Sequence, residues 1–256
     1  MALIQCKFYS ETLGLSTQMT VILPEHTTTQ IGLENRKRGN LHPTLYLLHG
    51  LSDDDSIWLR RTSIERYAAA YGIAVVMPQV HRSFYTDMEH GYNYWTFISE
   101  ELPHAARSFF PLSSEREHNF VAGLSMGGYG AFKLGLRCPD KFAAAASLSG
   151  ALDLAYSNAI DRFPSDYRLI FGNRQVAGSD DDLLHVLGEL DKKDVPKPML
   201  YQICGTEDFL YQQNLTFRDA CERTSIPLTY KEGPGDHTWE YWDEHIQDVL
   251  AWLPLK

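Results

Sequence analysis

The chain has 256 residues, a length that suits one large domain or two small ones. Hydrophobic residues make up 44% of it and charged residues 22%, which is typical of a globular protein, and a chain of this length can bury a substantial core. The formal net charge of −10 argues against nucleic acid as the main partner, because phosphate binding usually needs a basic face.

The N-terminal residues and the cysteines indicate a cytoplasmic protein. Residues 1–7 contain no basic stretch followed by a long apolar one, so we expect no signal peptide. No apolar run reaches the roughly 20 residues that cross a bilayer, so we expect no membrane association. The four cysteines form no C-x-x-C pair, which favours free thiols over disulfides or a zinc site. They are Cys6, Cys138, Cys204 and Cys221.

The first half of the chain predicts a pair of strands followed by the start of a parallel sheet. Residues 4–10 and 17–23 alternate apolar and polar positions around Leu13-Gly14, which is typical of antiparallel strands. A polar loop is expected over 25–43. Wholly apolar segments then indicate strands buried on both faces. These lie at 45–48, 73–77 and 120–122, with amphipathic helices predicted over 55–70 and 93–109.

The second half continues the alternation of strands and helices. Strands are predicted at 142–148, 199–204 and 227–231, with helices over 209–224 and 238–252. Such alternation means βαβ units. The predicted fold is therefore a single α/β domain over 1–256, with a mostly parallel central sheet, an N-terminal antiparallel strand pair and helices on both faces.

Residues 151–196 depart from this alternation of strands and helices. They hold no clear buried strand and include Arg162-Phe163-Pro164, Phe171-Gly172-Asn173 and a predicted helix over 180–192. An excursion between two strands predicts a cap over a site. The alternative is a helical crossover that makes no contact with substrate.

The most informative motif is Gly123-Leu124-Ser125-Met126-Gly127. It follows the apolar run at 118–122 and precedes a helix predicted from Gly128 to Arg137. This is the G-x-S-x-G nucleophile elbow in its strand–turn–helix setting. We expect Ser125 to be exposed at a strained turn, where its hydroxyl can attack a carbonyl carbon.

Serine needs a base to take its proton, and in α/β-hydrolases the chain order is serine, acid, histidine. His237 lies in a Gly/Pro-rich loop between the last strand and the last helix, whereas His185 and His245 fall inside predicted helices. We therefore assign His237 as the base. Asp208 follows the next-to-last strand and is the predicted acid, with Asp153, after the strand before it, as the alternative.

An oxyanion hole needs two backbone donors. One is the N–H that follows the nucleophile, on Met126. The second is expected in the loop after the strand ending at Leu48, where His49-Gly50-Leu51 stands, and we assign it to Leu51. His49 precedes the serine and is expected to anchor this loop rather than to act as a base.

Other motifs carry less information. Asp53-Asp54-Asp55 is expected to be a solvated loop that starts a helix, not a metal site. The aromatic segments at 84–87 and 92–95 fit an acyl pocket or the core equally well. There is neither a G-x-G-x-x-G motif nor a P-loop, so no cofactor is expected.

Taken together, these residues resemble the esterase D branch of the α/β-hydrolases, and within it the small tributyrin esterases of Gram-positive bacteria. The matching stretches span nearly the whole chain: 46–52, 58–62, 75–78, 85–87, 100–103, 122–130, 204–211 and 237–242. The resemblance implies a triad of Ser125, Asp208 and His237 that hydrolyses short-chain acyl esters without a cofactor. Related enzymes include S-formylglutathione hydrolases, feruloyl esterases and mycolyltransferases. The residues expected to bind substrate are Gly50, Trp58, Phe84, Tyr85, Phe209 and Trp239, with Phe84 standing where relatives often have tryptophan.

The sequence thus predicts a serine carboxylesterase that cleaves short-chain acyl or aryl esters through an acyl-enzyme. An S-formylglutathione hydrolase or other thioesterase, a feruloyl-type esterase, an acyltransferase and a non-catalytic binding module stay open as alternatives. The expected partner is a small-molecule ester, and a homo-oligomer also stays open.

Overall fold

A mixed sheet forms the centre of the protein. The structure, a computed structural model, describes residues 1–27, 29, 31, 38–155 and 164–255. Within them eight strands form one sheet in the order β1-β2-β4-β3-β5-β6-β7-β8. The strands are β1 (Ala2–Ser10), β2 (Leu15–Leu23), β3 (Thr44–Leu48), β4 (Ala74–Pro78), β5 (Asn119–Leu124), β6 (Ala144–Leu148), β7 (Met199–Gly205) and β8 (Leu228–Gly233).

The strand directions follow the predicted pattern. β1 pairs antiparallel with β2, and β2 antiparallel with β4. From β4 through β3 to β8 every neighbouring pair is parallel. The carboxyl ends of β3, β5, β6, β7 and β8 therefore meet at one edge of the sheet, where a binding site is expected in an open α/β sheet. The predicted α/β class, with its N-terminal antiparallel pair, is confirmed.

Helices cover both faces of the sheet, which explains why β3 to β6 are buried along their whole length. They are α1 (Ile57–Arg61), α2 (Ile64–Tyr71), α3 (Tyr94–Thr96), α4 (Leu102–Phe109), α5 (Met126–Arg137), α6 (Pro164–Phe171), α7 (Leu183–Asp191), α8 (Tyr211–Cys221) and α9 (Trp239–Trp252). Residues of α1, α2 and α9 share one apolar core, and those of α4 to α8 share the other. No helix among the described residues is both long and apolar enough to cross a membrane.

Two predicted helices are divided. The segment 55–70 is broken between α1 and α2, where Thr62 is extended and its hydroxyl accepts the Ile64 N–H at 3.1 Å. The segment 93–109 contains a π-helical turn at Phe97–Glu101 between α3 and α4. At Thr62 a local side-chain bond competes with the helical ladder.

The excursion at 151–196 contains two described helices. α7 was predicted, and it begins at Asp182, whose carboxylate accepts the Leu184 and His185 N–H groups. α6 was not predicted. It packs against residues 82–90 through N–H···O bonds from Glu89 to Ile170 (2.8 Å) and from His90 to Leu169 (2.9 Å). Residues 156–163, which include Arg162 and Phe163, and most of 28–37 in the predicted polar loop lie outside the described residues.

Candidate active site

Ser125 occupies the turn between β5 and α5. Its backbone has φ +53° and ψ −118°, a conformation that non-glycine residues rarely adopt and that costs on the order of 1–3 kcal/mol. The crowding explains the flanking glycines. A Cβ on Gly123 would overlap the Gly127 carbonyl, and one on Gly127 would lie 2.5 Å from Leu48 O. The turn is held to the sheet by the Ser125 N–H, which donates to Leu148 O at 3.0 Å.

Asp208 and His237 meet at the same edge of the sheet, beyond the carboxyl ends of β7 and β8. His237 Nδ1 lies 2.8 Å from Asp208 Oδ2, and the side chains are 16% and 0% exposed respectively. The other carboxylate oxygen accepts the Leu210 N–H at 2.8 Å. Because an ionised carboxylate only accepts, this contact places the imidazole proton on Nδ1 and leaves Nε2 as an acceptor.

The two loops that carry this pair are tied to each other. The Glu207 carboxylate accepts the Gly235 N–H at 2.5 Å, and the Glu207 N–H donates to Gly235 O at 3.0 Å. Asp236 accepts the His237 N–H at 2.7 Å. Glu207 and Asp236, the acidic neighbours of the pair, therefore shape the histidine loop.

The His237 ring lies between two aromatic side chains. Its centroid is 4.5 Å from that of Phe209 and 4.8 Å from that of Trp242. Trp242 in turn donates from Nε1 to Ser149 Oγ at 3.2 Å, which connects α9 to the end of β6. Phe209 is 47% exposed, so it is the predicted substrate-binding residue that presents a surface beside the histidine.

The serine and the histidine are not bonded to each other. Within the described part of the chain neither Ser125 Oγ nor His237 Nε2 makes a hydrogen bond. Catalytic bonds of this kind are often long before substrate binds.

The other candidate residues have different partners. His245 bonds to Asp248 on α9, with Nδ1 3.0 Å from Oδ2. The Asp153 N–H donates to Gln213 Oε1 at 3.2 Å.

The loop after β3 is fixed by a buried histidine. His49 Nε2 accepts the Val80 N–H at 3.1 Å, so the proton lies on Nδ1, which donates to Gly50 O at 2.7 Å. Burial lowers the pKa of His49 to about 4, so the ring is neutral at neutral pH. Gly50 O also accepts the Asp53 N–H at 3.2 Å. Gly50 itself is closely packed, since a Cβ would lie 2.8 Å from Leu124 Cδ1 and 2.9 Å from Asp53 Oδ2, so both side chains would have to shift.

The two amides assigned to the oxyanion hole have no partner. Among the described residues, the N–H groups of Leu51 and Met126 make no hydrogen bond. The Leu51 N–H shares a planar peptide with Gly50 C=O, so the two bonds on that oxygen also set the direction of the N–H. Met126 begins α5, where the first amides have no partner inside the helix. Both groups are thus available to an anionic oxygen.

Three aromatic residues that were predicted to bind substrate, Trp58, Phe84 and Tyr85, are buried instead. Trp58 is 1% exposed and donates to Leu48 O at 3.0 Å, and Tyr85 is 0% exposed and donates to His49 O at 2.9 Å. Phe84 lies edge-on to Tyr129, and Trp239 lies edge-on to Trp58. Trp58 and Tyr85 therefore support the two loops from within.

A cleft of about 640 Å³ opens beside the loop after β3. It is lined by residues 51–53, by Leu15, by parts of the segment 81–94, and by Asp166 and Leu169 of α6. A bidentate ion pair joins Arg82 to Asp166, at 2.8 and 2.6 Å. Sequence reasoning offered Tyr92 and Tyr94 as pocket or core and Leu51 as an oxyanion donor, and all three line this cleft. It missed the contributions of Leu15, Arg82 and α6, because these come from distant segments. Tyr92 and Leu169 are large apolar side chains that stay exposed there.

The run of aspartates is structural. Asp54 accepts the Ser56 N–H and hydroxyl at 2.9 and 2.6 Å, at the start of α1. Asp55 is not solvated as expected, since it is 4% exposed and accepts from Gln18 and Thr20 on β2. Among the described residues, no group of three histidine, cysteine or acidic side chains is arranged to hold a metal ion.

Comparison with known proteins agrees with this geometry. The family model described as "Putative esterase" matches residues 10–253. An acetyl esterase from Caldicellulosiruptor saccharolyticus is 34% identical over 263 residues, which cover 99% of this chain and 98% of the relative.

Two solved structures from Staphylococcus aureus are also similar over 98% of both chains. FphF, one of the fluorophosphonate-binding serine hydrolases, is 40% identical with a TM-score of 0.89. The S-formylglutathione hydrolase FrmB is 38% identical with a TM-score of 0.85. By the family match and these relatives, the chain belongs to the esterase family and is a carboxylic ester hydrolase, a serine esterase with the esterase D-like α/β-hydrolase fold.

Proposed function

We propose that Ser125, His237 and Asp208 form the catalytic triad of this esterase. The observation that carries the proposal is the 2.8 Å contact between His237 Nδ1 and Asp208 Oδ2, at the same edge of the sheet as a serine in a strained elbow. The contact fixes the tautomer in which Nε2 can accept a proton. In a nucleophile elbow the serine hydroxyl lies outside the hydrogen bonds of the helix and is free to attack a carbonyl carbon.

In the acylation step, Ser125 Oγ attacks the ester carbonyl carbon and His237 Nε2 takes the hydroxyl proton. The resulting oxyanion accepts hydrogen bonds from the Leu51 and Met126 N–H groups. Losing one such donor typically costs about 3 kcal/mol of transition-state stabilisation. His237 then delivers its proton to the leaving alcohol, and Asp208 stabilises the imidazolium that forms in between.

In the second step water takes the place of the alcohol. His237 accepts a proton from the water, whose oxygen attacks the acyl carbon, and the oxyanion hole is used again. The Ser125 ester bond breaks, the proton returns to Oγ, and a carboxylic acid is released. An added alcohol that competes with water would give acyl transfer, and product analysis with such an acceptor measures that competition.

We propose short-chain acyl esters as the substrates, including tributyrin. The 34% identical relative is named an acetyl esterase, which supports a small acyl group. The cleft of about 640 Å³ is lined in part by Leu51, the proposed oxyanion donor, and is large enough to hold the remainder of the ester. An assay of p-nitrophenyl acetate, butyrate and octanoate together with tributyrin and methyl ferulate tests this. The proposal fails if activity is confined to methyl ferulate.

A second candidate is an S-formylglutathione hydrolase, which is the name of the 38% identical relative FrmB. The observation in its favour is that the cleft, which also holds Asp53, is lined by His81, His90 and Arg82, whose guanidinium pairs with Asp166. Such groups suit the carboxylates of a glutathione leaving group. If this is right, Arg82→Gln raises KM for S-formylglutathione and leaves KM for p-nitrophenyl acetate unchanged.

We also propose that the chain is one α/β-hydrolase domain over 1–256, in which 151–196 is a cap. α6 supports this, because the Arg82–Asp166 ion pair and two backbone bonds hold it against a wall of the cleft. Replacing Leu169, which is 47% exposed in the cleft, by Glu should lower kcat/KM for octanoate more than for acetate. Equal losses on both esters would contradict the cap.

A cytoplasmic location is proposed on the four free cysteines, three of them buried. Fractionation of cells followed by immunoblotting tests the location, and light scattering of the purified protein measures whether it forms a homo-oligomer.

The direct test of the triad is the hydrolysis of p-nitrophenyl acetate and butyrate by Ser125→Ala. We expect kcat to fall by about 10⁶, with residual activity from the oxyanion hole and an unchanged melting temperature. Wild-type activity in this variant would overturn the proposal.

A further inference from the structure

We propose that Tyr85 is a positioning residue for the oxyanion hole, held by Lys133 and acting through the carbonyl of His49 on the Leu51 amide. The inference rests on the proposed function, since it concerns how Leu51 N–H is aimed at the developing charge. Tyr85 is fully buried and so acts without touching the substrate.

The anchor of this arrangement is a lysine inside the protein. Lys133 lies on α5, the helix that follows the nucleophile, and is 0% exposed. Its Nζ lies 2.6 Å from Asp181 Oδ1 and donates to Thr86 Oγ1 at 2.8 Å and to Tyr85 O at 3.0 Å. The three N–H groups of an ammonium match these three acceptors. The side chain therefore joins the nucleophile helix to residues 85–86 and to Asp181 of the segment 151–196.

Burial lowers the pKa of Lys133 to about 8, so the ammonium is charged at neutral pH. A buried charge is costly unless it is fully partnered. The full set of partners is what makes the site stable. Folding alone does not require a lysine at this core position, because an aliphatic side chain would fill it at lower cost.

Tyr85 is wedged between α5 and the loop after β3. Its backbone has φ +51°, next to Phe84 at φ +48°, so two consecutive residues are in the left-handed region. Its ring lies on Gly130 of α5, where a Cβ would come within 2.5 Å of Tyr85 Cδ2. Lys133 holds the carbonyl of this strained residue, and the hydroxyl at the other end donates to His49 O at 2.9 Å.

With this bond, hydrogen bonds fix the orientation of two successive peptide planes. Tyr85 Oη fixes the oxygen of the His49–Gly50 peptide, and the His49 ring with the Asp53 N–H fixes the oxygen of the Gly50–Leu51 peptide. The Leu51 N–H belongs to the second plane. Gly50 has no side chain to limit rotation, so the bonds on either side of it decide where that N–H points.

Tyr85→Phe removes one hydroxyl and keeps the ring in place. The His49 carbonyl then loses its donor, and the Leu51 amide can tilt away from the oxyanion. Since removal of a whole oxyanion-hole donor costs about 10²–10³ in kcat, we expect a fall of roughly 10- to 100-fold in kcat with KM within twofold of wild type. Affinity for a trifluoromethyl ketone, which forms a tetrahedral adduct, should fall in the same proportion.

The matched control is Tyr46→Phe. Tyr46 lies on β3, in the strand that leads to the same loop, and is 1% exposed. Among the described residues its hydroxyl has no hydrogen-bond partner, so its removal should leave kcat and trifluoromethyl ketone affinity unchanged. Lys133→Met should lower kcat as Tyr85→Phe does, and the double variant should lose less than the product of the two single losses.

The outcomes are distinguishable. A Tyr85→Phe protein that melts like wild type but keeps wild-type kcat and inhibitor affinity overturns the positioning role, as do equal losses in Tyr46→Phe. If Lys133→Met does not fold, the comparison of Tyr85→Phe with Tyr46→Phe decides alone. Failure of the triad proposal appears separately, as activity in Ser125→Ala.

Discussion

Replacing Asp208 by Asn should reverse the proton arrangement of His237 without disturbing the fold. Asp208 Oδ1 accepts the fixed Leu210 N–H at 2.8 Å, so the amide oxygen of the new Asn takes that place. Its NH₂ then faces His237 Nδ1, where Oδ2 lies at 2.8 Å. A donor at this position makes Nδ1 an acceptor and moves the ring proton to Nε2. The base can no longer accept the proton of Ser125.

The same exchange in a serine protease triad lowers kcat by about 10⁴, which corresponds to about 5.5 kcal/mol of transition-state stabilisation. We expect a loss of that order in p-nitrophenyl acetate hydrolysis at pH 7.5, with a melting temperature close to wild type. Glu207→Gln is the matched control, because it neutralises the adjacent carboxylate outside the triad. Retention of more than a tenth of wild-type kcat by Asp208→Asn, or an equal loss in Glu207→Gln, would refute the reasoning.

Three further predictions concern stability and are read from urea unfolding. Gly127→Ala places a Cβ 2.5 Å from Leu48 O and should destabilise strongly, whereas at Gly188, inside α7 with nothing within 4 Å, the same change should stabilise by about 0.5–1 kcal/mol. Burial lowers the pKa of His49 to about 4, so the folded chain binds fewer protons than the unfolded chain between pH 4 and 6.5. The contribution of neutral His49 to the free energy of unfolding is therefore fully present above pH 6.5 and is lost as the pH falls towards 4. The loss is about 3 kcal/mol in total, and the His49→Gln protein should not show it. The lowered pKa of Lys133, about 8, means that the unfolded chain binds more protons between pH 8 and 10.5, so the stability of wild type relative to Lys133→Met should rise with pH there. A difference in unfolding free energy between the two proteins that stays constant from pH 8 to 10.5 would contradict this prediction.

The sheet could be predicted from sequence because its strands are short apolar runs between turn residues, and the elbow because glycines stand where no Cβ fits. The breaks inside helices could not. Ser63 begins α2 with its N–H donated to Asp243 Oδ1 at 3.2 Å, a partner 180 residues away. Local periodicity carries no information about such contacts.

In the candidate site, too, some residues could be predicted from local sequence and others could not. Asp208 and His237 could be placed by chain order alone, since each follows a strand of a parallel sheet. The roles of Tyr85 and Lys133 could not, because an aromatic residue suits a pocket wall as well as the core, and a lysine in an amphipathic helix is usually exposed. Only the packed structure distinguishes these cases.

The central claim, that Ser125 is the nucleophile of an esterase, is tested most directly by a fluorophosphonate probe with peptide mapping by mass spectrometry. We predict one adduct per chain, on the peptide that contains Ser125, with esterase activity lost in proportion to labelling. An adduct on another residue, or full activity in a fully labelled protein, would contradict it.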